Sequence, residues 1–168
     1  GTWGMEPYYS QIRIDTCGQH GWWDAGPHDG LASDVIITDV SMSQQDSYDG
    51  LYITEGASER WARVHCWSRH SSAGWRTPMC RYGVNVSGGY ATFSNSYFEG
   101  GHVNIANFYQ CIVATDDTCI FAGAWQNHPA IVISGSTSQI ILRGQVGAPC
   151  GASGMQNSVG LSLGPNSG

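Results

Sequence analysis

Five short triplets of the form apolar–x–apolar recur along this chain, and they restrict its fold more than any other feature. They are Leu51-Tyr52-Ile53, Val84-Asn85-Val86, Val103-Asn104-Ile105, Ile131-Val132-Ile133 and Leu161-Ser162-Leu163, with steps of 33, 19, 28 and 30 residues between them. A longer alternating element precedes each: VIITDVSM, WARVHCW, ATFSNSYF, FYQCIVA and QIILRG. A triplet of this kind puts two side chains on one face and one on the other, too little apolar surface to form a stable unit alone. The pattern makes sense when each triplet stacks on its copies in neighbouring repeats. A period of roughly 20–30 residues with three short strands per unit is the signature of a parallel β-solenoid. The variable step implies insertions at the corners, expected at 17–34, 67–82 and 144–159.

Helical periodicity is absent, and strand signals occupy 35–40, 50–53, 61–67, 83–86, 91–98, 102–105, 108–113, 119–122, 130–133, 139–143 and 160–163. The expected class is all-β, a right-handed parallel β-helix of about five to six coils with corner loop insertions. A β-sandwich made from the same strands is the alternative. At 168 residues the chain fits one domain. Within it, 1–31 reads as a loop-rich N-terminal coil, 32–163 as repeated coils and 164–168 as a tail. The first residues run straight into patterned sequence, and a piece of a longer protein is expected.

The seven positive charges are all arginine, so lysine Schiff-base and P-loop chemistry are excluded within the chain. A formal charge of −6 gives no footprint for nucleic acid or an anionic membrane, and no apolar stretch is long enough to span a bilayer. The six cysteines, at 17, 66, 80, 111, 119 and 150, lack zinc-site spacing and are expected to be structural or free, their even count leaving disulfides open. No metal or cofactor is expected.

The Asp49–Ile53 element (DGLYI), the Ser94-Asn95-Ser96 corner and the stacked triplets resemble right-handed parallel β-helix proteins of the pectate-lyase-like group. That group includes polygalacturonase-type glycoside hydrolases and bacteriophage tailspikes. The resemblance spans about residues 32 to 163 and implies a protein that binds or cleaves polysaccharide along its outer face. For a tailspike it also implies a homotrimer on a virion. Asp116-Asp117 resembles the paired-aspartate element of the hydrolases, with Thr118 intervening before Cys119. Gly100-Gly101-His102 and Ser47-Tyr48-Asp49-Gly50 echo two further elements. Their order and spacing differ from the hydrolase template, so the resemblance carries the fold and not the catalytic arrangement.

The residues themselves give a second route to a site. Phe93 to Cys111 and Glu99 to Asp117 share an offset of 18. Were that one coil, Glu99 would stack over Asp117, and two carboxylates about 5 Å apart would split their pKa values into an acid and a base. Glu99, Asp116 and Asp117 are therefore the candidate catalytic residues, against the alternative that the aspartates simply cap a turn. Arg63, Arg69, Arg76 and Arg81 keep a polysaccharide lyase as a lesser reading.

Seven tryptophans tilt the reading towards carbohydrate, because flat aromatic faces stack on sugar rings. Trp22-Trp23, Trp67, Trp75 and Trp125 fall in expected loops or corners. Trp67, Trp75, Tyr97, His102 and Trp125 are the candidate substrate-binding residues. The expected function is a polysaccharide-recognising and polysaccharide-cleaving module, extracellular or on a virion, with polysaccharide as partner and a homotrimer or larger assembly as its state. A non-catalytic structural or adhesive spike is the alternative.

Overall fold

The computed structural model describes residues 6–26, 29–41, 43–44, 47–54, 57–67, 80–99, 103–106, 111–122, 131–134, 139–146 and 161–163. Among them there is no helix, and the chain is all-β. The strands are β1 (Tyr8–Asp15), β2 (Trp22–Ala25), β3 (Asp29–Thr38), β4 (Leu51–Thr54), β5 (Ser58–Trp67), β6 (Val84–Val86), β7 (Gly89–Ser94) and β8 (Tyr97–Glu99). They continue as β9 (Val103–Ala106), β10 (Cys111–Thr115), β11 (Ile120–Ala122), β12 (Ile131–Ser134), β13 (Gln139–Ile141), β14 (Gln145–Val146) and β15 (Leu161–Leu163).

Two sheets result, and every described pairing is parallel. The five triplets and β2 form one sheet, in the order β15-β12-β9-β6-β4-β2. Its register pairs Leu51 with Val84, Val84 with Val103, Val103 with Ile131 and Ile131 with Leu161, which reproduces the spacing of 33, 19, 28 and 30 read from the sequence. The other sheet has nine strands, with β13-β10-β7-β5-β8-β11-β14 as its path and β3 and β1 joined beside β5. The chain visits the two sheets in turn, so a strand reaches its parallel neighbour by way of the opposite sheet. Parallel neighbours need such a crossover, and here a strand supplies what a helix supplies elsewhere.

One apolar core lies between the inward faces. Leu51, Ile53, Val84 and Val86 enter it from the triplet sheet, and Val35, Ile37, Trp61, Val64, Phe93 and Phe98 from the other. Trp22 of β2 meets Trp61 of β5 edge to face, the ring centroids 5.3 Å apart, and Trp61 stacks on Phe93 of β7 at 6.3 Å.

The long strands bend at one residue with left-handed backbone, repeated in register: Gln11 (φ 55), Asp34 (φ 56), Arg63 (φ 54) and Asn95 (φ 47). Left-handed backbone is costly for a residue with a Cβ, and Asn and Asp bear it best. At Asn95 the bend separates β7 from β8, both of which pair with β5. Ser96 fixes this corner, its hydroxyl donating to Ser94 O and accepting from Val64 N at 2.9 and 3.1 Å. Exposed to solvent, Arg63 forms a two-pronged ion pair with Asp34 at 2.6 and 2.8 Å. That pair draws the Asp34 carboxyl below its ordinary range.

Every segment expected as strand overlaps an observed one, but two expectations change. The span 17–34 is not simply an insertion, because it contains β2 and the start of β3. The offset across the repeat containing Phe93 and Glu99 is also not 18. Phe93 pairs with Thr115 and Glu99 with Ala122. Of the expected insertions at 67–82 and 144–159, residues 68–79 and 147–159 lie outside the described residues, and the second span opens with β14. Cys17, Cys66, Cys80 and Cys119 are free thiols, and burial pushes the Cys66 thiol far up, with Cys80 adding to it.

Candidate functional site

Asp116 follows β10 at the corner where the strand turns towards β11. Its Oδ1 accepts from the backbone N–H of Asn95 at 3.2 Å and of Thr118 at 3.0 Å. It also accepts from the Thr118 hydroxyl at 2.5 Å and the Cys119 thiol at 3.5 Å. These bonds, led by the Thr118 hydroxyl, hold the carboxyl below its ordinary value. One oxygen thus closes the turn, as an aspartate commonly does, while Oδ2 takes none of these bonds. Asp117, the next residue, is exposed.

Beside this turn runs an open groove of about 400 Å³ across β7, β10 and β13. Ala114 and Ile141 form apolar floor; Thr92, Ser94, Asp116 and Arg143 supply hydroxyl, carboxylate and guanidinium. The Arg143 backbone is anchored to β10, since Thr115 Oγ1 donates to its carbonyl at 2.7 Å and accepts from its N–H at 2.9 Å. Among the described residues the Arg143 side chain has no ion-pair partner, and it is exposed. Its charge therefore remains available at the groove.

Glu99 lies elsewhere. Its backbone is in register with Trp67 on one side and Ala122 on the other, so it does not stack over Asp117. Trp67 and Glu99 are thus neighbours across β5 and β8. Tyr97, two residues earlier, lays its ring against His65 at 5.0 Å and 16°. Of the other sequence candidates, Trp75, His102 and Trp125 lie outside the described residues, as do Arg69 and Arg76 of the arginine group. Arg63 and Arg81 are both in ion pairs.

A second constellation sits on the outward face of the triplet sheet, and the sequence reading did not assemble it. Parallel register aligns Trp23, Tyr52 and Asn85 in one row on β2, β4 and β6. The middle position of the recurring triplet is the signal that finds Tyr52 and Asn85; Trp23 lies on β2, outside the triplets, and is placed by its pairing with Tyr52. Trp23 is 60% exposed, yet its orientation is fixed because the indole N–H donates to Thr54 Oγ1 at 3.1 Å. Its ring stacks on Tyr52 at 6.3 Å and 26°, and Tyr52 stacks on His20 at 4.9 Å and 20°. Tyr48 meets His20 edge-on at 5.1 Å.

Beneath these rings lies Asp49, whose side chain is 0% exposed. Arg81 donates to both of its oxygens, Nε to Oδ1 at 3.0 Å and Nη2 to Oδ2 at 2.7 Å. Asn85 Nδ2 adds a bond to Oδ2 at 2.9 Å. The Asp49 backbone N–H donates to His20 Nδ1 at 2.9 Å. An acceptor Nδ1 requires the neutral imidazole with its proton on Nε2. Burial lowers the His20 pKa from 6.5, with nearby Asp49 opposing the shift and Arg81 reinforcing it.

A pH dependence follows from that shift. The unfolded chain takes up a proton at His20 near the ordinary value of 6.5, before the folded one does. Stability from this residue is therefore complete above that value and is lost as the pH falls through it towards the lower folded pKa. Urea unfolding across the weakly acidic range should show this decline. His20→Gln should flatten it; an unchanged slope in that variant would assign the decline to other groups.

Set against protein-family models, curated proteins and solved structures, the chain matches none of them.

Proposed function

We propose that this chain is a polysaccharide-recognising module wound as a right-handed parallel β-helix, working outside the cell or on a virion, and that it holds its glycan along the groove beside Asp116. The observation that carries this reading is the groove itself. An apolar floor with a few convergent polar groups, at about 400 Å³, is the usual make-up of a site for a small ligand or one unit of a polymer. Arg143 and Asp116 Oδ2 supply a charged donor and a charged acceptor, the pair needed to bind sugar hydroxyls. The alternation of strands between two all-parallel sheets supports the helical winding, as do the triplet steps. Recognition is favoured over cleavage because the register separates Glu99 from Asp117, and no second carboxylate is described in the groove lining.

Binding assays against a panel of bacterial surface and plant polysaccharides test this. Arg143→Ala and Asp116→Asn should each weaken binding by about tenfold or more, the usual cost of losing a hydrogen bond to a charged group. Unchanged binding in both variants would remove the groove as the site. New reducing ends in the same incubations, lost in Asp116→Asn, would add hydrolysis to recognition.

A further inference from the structure

The constellation around Trp23 is independent of the groove, on the other sheet, and its chemistry points to a ligand of its own. A tryptophan 60% exposed on a sheet face usually has rotamer freedom to lose on binding. Here that cost is already met, because the bond to Thr54 and the stack on Tyr52 and His20 fix the ring before any ligand arrives. The result is a flat, rigid apolar face in water. Next to it, the buried carboxylate of Asp49 is engaged by Arg81 and Asn85, so the ion pair neutralises itself. His20, with Nδ1 occupied by the Asp49 N–H, presents an Nε2–H at the opposite end of its ring on a side chain 19% exposed. A flat aromatic face beside a neutral donor, with the charges of Asp49 and Arg81 matched to each other, suits a ring that offers C–H bonds on one face and hydroxyls at its edge.

We propose that Trp23, backed by Tyr52 and His20, is a second binding platform that takes an uncharged pyranose sugar, stacked on the indole and hydrogen-bonded at its edge by His20. An acidic sugar would need an unpaired cation, and Arg81 is committed to Asp49. A peptide that added to the outer edge of β2, the last described strand of this sheet, would bind through its backbone and survive Trp23→Ala, which separates it from a stacked sugar.

The test is calorimetric titration of the whole chain with cellohexaose, maltohexaose and mannohexaose. At least one should bind, with affinity little changed by added salt, since no net charge is neutralised. Trp23→Ala should weaken that binding by about tenfold or more, while Trp23→Phe retains part of it. In saturation-transfer spectra the ring C–H protons of the bound sugar should receive magnetisation from the protein, an effect lost in Trp23→Ala. Thermal melts of the variants separate this from misfolding, because an exposed ring contributes little to the core. The proposal is overturned if none of the three sugars binds, or if Trp23→Ala binds as the parent does. It is equally overturned if Arg143→Ala abolishes binding while Trp23→Ala leaves it, which would place the sugar in the groove. Self-association of the parent that Trp23→Ala abolishes, with no sugar bound, would make the face a contact between copies instead.

Discussion

Arg81→Met should destabilise the protein by about 3–5 kcal/mol, the range for breaking a buried ion pair from one side. The effect comes from what is left behind rather than from the attraction lost. Asp49 is 0% exposed, while Arg81 is 41% exposed, so the carboxylate alone is stranded when the guanidinium goes. Asn85 Nδ2 remains, but one neutral amide does not replace two charge-assisted bonds. The disturbance also reaches the aromatic row, because the Asp49 backbone holds His20 and Asn85 lies beside Tyr52 in register. Urea unfolding of Arg81→Met, Asp49→Asn and the double variant separates these contributions. The double variant should recover most of the loss, since it removes the stranded charge as well. If Arg81→Met alone lies within about 0.5 kcal/mol of the parent, the ordinary range for a surface substitution, the pair is not what supports this face.

The triplets made the second sheet legible from sequence. Alternation identifies each one, and the spacing between them is the register itself, because each must stack on the next to bury its two apolar residues. The bent sheet was harder to read for a specific reason. Pairing Phe93 with Cys111 instead of Thr115 is a slip of four residues, and an even slip leaves the inward and outward faces unchanged. Hydrophobic patterning cannot detect it. The slip to Glu99 is five, because the corner at 116–119 holds one more residue than the corner at 94–96, and patterning assigns no register to a corner. Strand β2 was missed because Trp22-Trp23-Asp24-Ala25, between glycines, has no aliphatic triplet; its partner β4 settles it. Nor could the Asp49–Arg81 pair be foreseen, since it joins residues 32 positions apart through the stacking of repeats. Asp116 was found by its residue type, while the groove beside it depends on β13, brought alongside β10 by the same stacking.

Gly89→Ala should cost about 3 kcal/mol or more, and its contrast with Gly26→Ala should show why. Both glycines have left-handed backbone, φ 102 at Gly89 and φ 98 at Gly26, so alanine is conformationally strained at either. At Gly26 a Cβ would meet nothing within 4 Å, and only the backbone strain of roughly 1–2 kcal/mol applies. At Gly89 the same Cβ would lie 2.3 Å from the carbonyl oxygen of Ala57 and 3.0 Å from its nitrogen. Those are main-chain atoms that cannot rotate aside. The Ala57 oxygen also accepts from Tyr90 N–H at 2.7 Å, the bond that starts the pairing of β7 beside β5. Relieving the clash would lengthen that bond and lift β7 away from β5, along with Ala91 and Phe93, which the core buries. Thermal and urea unfolding of the two variants should therefore differ well beyond the strain they share. Equal losses would mean that repeats can separate at this point without cost, and that Gly89 is required for its backbone angle alone.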